Sequence, residues 1–125
     1  MQWIPLIMIY YKSTRTWLFL LYVLIIISLS LTSGSQFNLL NNLWKYDKII
    51  HFIEYFGFGF LLINMFMIAP LTREIKILLI LLLLIFPFID ESIQSFTPSR
   101  ISDINDAIVD VIGGLIGSYV RLNVK

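Results

Sequence analysis

The chain has no cysteine, so disulfides, thiolate metal sites and a cysteine nucleophile are all excluded. It has a single histidine, which rules out a multi-histidine metal site built from one copy. Charge is scarce as well: Asp, Glu, Lys and Arg make up 14% of its 125 residues, and the net charge is +1. That balance leaves no basic surface for nucleic acid. It also leaves too few polar groups to cover a soluble domain of this size. Apolar residues fill the chain instead, at 58% with a mean hydropathy of +0.86. They gather in long blocks rather than short alternating runs, and lipid is the solvent such blocks fit.

The length suits one domain, residues 1–125. The expected fold is an all-α integral membrane protein, a bundle of about four transmembrane helices near 17–33, 48–69, 75–94 and 103–120. The first apolar block, Trp17 to Leu31, follows Lys12 and Arg15; the second, Ile49 to Ala69, stops at Pro70. The third runs from Ile75 to Ile89, and the fourth, Ile104 to Val120, is interrupted by Asp106 and Asp110. The first and third fall slightly short of the roughly 17–20 apolar residues a crossing needs. They are read as spans because an even number of crossings brings the polar features together. Met1–Tyr11 is too short to span and reads as interfacial. The first block has a competing reading as a signal peptide ending near Ser33-Gly34-Ser35; a retained helix is preferred because its apolar run is long.

With the N-terminus inside, the inner segments carry six basic residues: Lys12, Arg15, Arg73, Lys76, Arg121 and Lys125. The outer segments carry three, Lys45, Lys48 and Arg100. Positive charge favours the cytoplasmic side, so a multi-pass protein of the cell membrane with both termini cytoplasmic is expected.

The acidic residues are distributed unevenly in this arrangement. Only Glu74 lies at the inner face, whereas Asp47, Glu54, Asp90, Glu91, Asp103, Asp106 and Asp110 lie toward the outer ends of the last three helices. Asp47, His51 and Glu54 are spaced i, i+4, i+7 and share a side of one helix. Glu54 falls below the interface, where a lone carboxylate is expensive, and His51 is its nearest local partner. Glu91 and Gln94 are spaced to face inward together. Pro87, just before them, is placed to kink the helix and free carbonyls. Asp103, Asp106 and Asp110 repeat the i, i+3, i+7 spacing, with Ser102 or Asp103 as N-cap. For Asp47, Asp103 and Asp106, solvation or capping accounts for a carboxylate as well as function does; Glu54, Glu91 and Asp110 lie too deep for that. Gly113, Gly114 and Gly117 read as helix-packing residues, with a Gly-x-x-x-Gly spacing between the outer two. Arg100 is placed to neutralise carboxylates or to bind an anion.

Two strings carry a further signal. Asp47-Lys48-x-x-His51-Phe52-x-x-Tyr55 resembles the first signature of VanZ-like membrane proteins. Asp90-Glu91-x-x-Gln94-x-Phe96-x-Pro98-x-Arg100-x-x-Asp103-x-x-Asp106 resembles the second, continued by Gly114 and Gly117. The chain departs from that pattern at Asp110, where the family has an amide; the change adds an ionisable group. The resemblance implies a small multi-helix bacterial membrane protein, in a family named for an accessory factor of glycopeptide, chiefly teicoplanin, resistance.

Three functions compete. The first is a non-enzymatic envelope factor whose outer polar site binds a lipid head group or cell-wall precursor, with Lys48 and Arg100 meeting anions. The second is a membrane enzyme dividing acid and base roles between Glu54 and His51, or Glu91 and Asp110. In that reading a divalent cation would sit on Asp90, Glu91, Asp103 and Asp106. The third, a transporter or proton path, ranks last because the inner helix halves are apolar. The envelope factor is preferred, with membrane lipids as partners, no nucleic acid, no resident metal or cofactor assigned, and oligomeric state open.

Overall fold

A computed structural model of the chain describes residues 3–33 and 46–125. Five helices and no strand occur among the described residues: α1 Trp3–Lys12, α2 Thr14–Leu31, α3 Asp47–Phe66, α4 Arg73–Ser95 and α5 Ile104–Asn123. Gly34, Ser35 and Lys45, used in the sequence-based readings of cleavage and orientation, lie outside the described residues.

Capping chemistry sets the helix bounds. Ser13 separates α1 from α2, and its hydroxyl accepts the Arg15 N–H at 3.2 Å, so α2 begins at Thr14 rather than near Trp17. The segment expected to lie as an interfacial stretch is a ten-residue helix, and the Tyr10 hydroxyl donates to the Phe66 carbonyl at the end of α3. Pro70 follows α3, Thr72 caps α4 by accepting the Ile75 N–H, and Asp103 caps α5 by accepting the Asn105 N–H at 2.9 Å. Pro87 lies buried within an unbroken α4.

Helices α2, α3 and α4, of 18, 20 and 23 residues, are long and apolar enough to cross a membrane. At 1.5 Å per residue they measure roughly 27 to 35 Å, against a hydrocarbon core of about 30 Å. The chain is an all-helical, multi-pass membrane protein. Helix α5 has the length, at 20 residues, but its charged residues keep it out of that group.

The outside of the bundle is apolar; its interior is apolar through most of its length and polar at one end. On α5, Ile104, Ile108, Ile112, Leu115 and Tyr119 are exposed along one side, while Asp106 and Asp110 are buried on the other. Helices α3 and α5 run parallel and pack closest, and glycine makes this possible. A Cβ on Gly59 would land on the Gly114 carbonyl, one on Gly117 on the Phe56 carbonyl, and one on Gly113 within 2.6 Å of the Phe52 carbonyl oxygen. Antiparallel α4 meets α3 through larger side chains, with Phe58 and Phe86 stacked at 4.8 Å between ring centroids. Phe19 and Ile26 bring α2 onto the same core, and the Tyr22 hydroxyl donates to the Glu54 carbonyl at 2.7 Å.

Candidate functional site

The N-terminal ends of α3 and α5 meet the C-terminal ends of α2 and α4, and the polar residues converge there. Four carboxylates are buried: Asp90 at 2% exposure, Glu91 at 6%, Asp106 at 5% and Asp110 at 0%. Each is held differently.

Asp90, on α4, accepts from three donors on three helices. These are the Ser30 hydroxyl of α2, the Tyr55 hydroxyl of α3 at 2.9 Å and, more weakly, the Gln94 amide of its own helix at 3.5 Å. Several hydrogen bonds are what a buried carboxylate needs to replace water. Asp110, on α5, faces Nδ1 of His51 on α3, at 3.0 and 3.3 Å to its two oxygens. Asp106 is bound by Lys48, whose Nζ lies 2.7 Å from Oδ1 and 3.5 Å from Asp103. Glu91 accepts the Asp103 N–H at 2.6 Å through Oε1, while its buried Oε2 has no hydrogen-bond partner among the described residues.

The turn between α4 and α5 closes the site. Ser99 has φ of 61°, a left-handed conformation uncommon for a residue with a side chain. Within this turn the Arg100 N–H bonds the Thr97 carbonyl at 3.2 Å, and the Arg100 guanidinium donates to the Gln94 side-chain oxygen at 3.0 Å. The Pro98 carbonyl accepts from Ser33 at 3.3 Å. Asp103 lies outside the helices, and the hydrogen bond from the Asn105 N–H, helped by Lys48, holds its carboxyl below the usual carboxylate range.

Two sequence-based expectations need correction, and one open alternative narrows. Glu54 does not pair with His51: it is half-buried and has no side-chain hydrogen bond among the described residues, while His51 turns to Asp110. One residue further along, Tyr55 occupies the inward position instead, because i+4 from His51 follows the buried face more closely than i+3. For Asp106, where solvation or capping and function stood level, burial sets simple solvation aside. Finally, Asp90, Glu91, Asp103 and Asp106 do not form one cation-binding group. The first two are engaged by the hydroxyls and backbone N–H already described, and the candidate metal ligands that come within 4.8 Å of one another are Asp47, His51 and Asp106.

The remaining candidates fall in two places. Asp47 stands at the rim with its side chain 37% exposed, 3.9 Å from Nε2 of His51. Gly113, Gly114 and Gly117 lie on the α3–α5 seam below the polar end. Sequence reasoning missed Ser30, which is buried, bonds Asp90 and offers its carbonyl to the Thr97 hydroxyl at 2.9 Å. Its only signal is a hydroxyl in an apolar run, shared with Ser28 two residues before it. It also missed Gly59, which follows Gly57 by two residues and belongs to no Gly-x-x-x-Gly spacing.

The site therefore combines a buried His–carboxylate pair, an excess of carboxylates over cations, and one exposed lysine. The sequence matches the VanZ/LLP1 family over residues 3–124. No curated protein and no solved structure matches it.

Proposed function

We propose that this chain, which belongs to the VanZ/LLP1 family, is a bacterial cell-envelope protein whose outward-facing polar site binds an envelope component. That component is a lipid head group or a cell-wall precursor, and its capture changes susceptibility to teicoplanin-type glycopeptides. The carrying observation is the burial of four carboxylates at one end of a bundle that holds its other end together without any. A carboxylate inside a membrane protein is costly and is retained where it serves a site. Packing alone does not ask for four.

The orientation belongs to the same proposal. Helix α5 carries an apolar outer stripe and turns its aspartates inward, which supports reading it as a fourth crossing despite its charge. With four crossings and the basic residues biased as they are, both termini are cytoplasmic and the polar end faces outward.

Expression in a glycopeptide-susceptible bacterium tests the reading. The minimum inhibitory concentration of teicoplanin should rise severalfold with the wild-type chain, fall back with Asp106→Ala and be partly restored with Asp106→Glu. An unchanged concentration in all three strains would sink it.

One observation favours a second reading, an enzyme acting on a lipid-linked substrate. His51 and Asp110 form a buried pair of the kind that orients an imidazole for proton transfer. Purified protein incubated with lipid-linked cell-wall precursor would then yield a new product by chromatography that His51→Gln does not form.

A further inference from the structure

We propose that Asp47, His51 and Asp106 form a binding site for a first-row divalent transition-metal ion, with Zn²⁺ the natural probe. The three residues each bring a ligand atom to within 4.8 Å of the others, from two helices that glycine packing locks together. This goes beyond the envelope-binding reading and does not depend on it, since it concerns the affinity of the purified protein for an ion.

The orientation of His51 points to a ligand. The side chain is 7% exposed, and Nδ1 is taken up by the buried Asp110 carboxylate at 3.0 Å. Metal-bound histidines are commonly oriented in this way, with a carboxylate or carbonyl holding one ring nitrogen so that the other is presented to the ion. Nε2 makes no hydrogen bond among the described residues, and its charged neighbour Asp47 lies 3.9 Å away. That separation is too long for a hydrogen bond. Two ligand atoms each roughly 2.1 Å from one ion stand about 3 to 4 Å apart; Nε2 and the Asp47 carboxylate already stand 3.9 Å apart, and all three ligand atoms lie within 4.8 Å of one another.

The donor set selects the class of ion. One imidazole and two carboxylates suit zinc, manganese or iron, whereas calcium and magnesium prefer all-oxygen shells. The two carboxylates balance a double charge. Lys48 holds Asp106 through Oδ1 at 2.7 Å, and a carboxylate bound through one oxygen has a second with which to bind an ion. Three protein ligands leave at least one position open to water or to an oxygen-bearing ligand, on the side where Asp47 is partly exposed.

The test is isothermal titration of tag-free, metal-stripped protein in detergent with Zn²⁺, alongside elemental analysis after dialysis. One Zn²⁺ per chain is expected, with affinity falling at least tenfold in His51→Gln and in Asp47→Asn and unchanged in Glu74→Gln at the opposite end. Asp47 is at the rim, so Asp47→Asn decides the matter even if His51→Gln does not fold. Mg²⁺ and Ca²⁺ at the same concentrations should not compete. Absence of Zn²⁺ binding, or its retention in a folded Asp47→Asn or His51→Gln protein, overturns the proposal.

Discussion

The two ends of the bundle solve the same packing problem with opposite materials. At one end α3, α4 and α5 meet through Lys48, His51, Tyr55, Asp90, Glu91, Asp106 and Asp110, joined by hydrogen bonds and ion pairs. At the other they meet through Leu62, Ile63, Leu79 and Leu83, with polar links between α3 and α5 from Arg121 to Asn64 at 2.7 Å and from the Ser118 hydroxyl to the Gly59 carbonyl at 3.3 Å. A mainly apolar groove of about 730 Å³, lined by residues including Leu79, Leu115 and Tyr119, opens between the helices there. In lipid neither end gains much from the hydrophobic effect, so close van der Waals approach and satisfied polar groups hold the helices. The apolar end shows that these helices can associate without buried acids. The acids at the other end must therefore be explained by what they bind or by how they specify the assembly.

That contrast can be broken most severely at the seam shared by both ends. Gly59→Leu would drive a side chain into the Gly114 backbone, and overpacking of this kind costs roughly 3 kcal/mol or more. Thermal denaturation in detergent should show no cooperative folded species. Next comes Asp110→Ala, which strands a buried imidazole at a cost of roughly 2 kcal/mol. Its melting temperature should fall clearly, whereas Asp110→Asn, which can still bond His51, should fall less. Equal losses would show that charge, not hydrogen bonding, holds the pair.

Tyr55→Phe should be milder, at roughly 1 kcal/mol, because Asp90 keeps Ser30 and Gln94 as donors. A loss as large as that of Asp110→Ala would mean that the three donors act as one unit. Asp103→Ala should have the smallest effect, since the carboxylate is exposed and mainly caps α5. Its folded carboxyl titrates below the ordinary 3.8, so its stabilising contribution is present above that pH and is lost as pH falls through the folded value. The melting difference between wild type and Asp103→Ala should therefore shrink on acidification below 3.8. A difference that grows instead would contradict the capping role.

How much could be read from sequence depends on whether the information was local. The helices follow from apolar blocks and caps, and Ser13, Thr72 and Asp103 account for the shifts of a few residues in their bounds. The spacing of Asp47 and His51 is local and legible; the partner of His51 is not, because Asp110 lies 59 residues away. Glu54 misled because i+7 points nearly along Asp47, whereas the buried face runs through His51 and Tyr55, one turn apart. Ser30 was hidden because serine in a membrane helix usually bonds its own backbone, as Ser28 does to Leu24. Helix α5 escaped a purely apolar measure for a related reason: Asp106 and Asp110 count against its composition although both point inward.

The proposed role at the cell surface requires the end bearing the buried carboxylates to face outward. Because the chain lacks cysteine, Ser102→Cys at that end and Thr72→Cys at the other each report on a single exposed site. Both variants would be exposed to a membrane-impermeant maleimide on intact cells. Labelling at position 102 without labelling at 72 is the predicted result. Labelling at 72 with protection at 102 would put the polar end in the cytoplasm and contradict the proposed role at the cell surface.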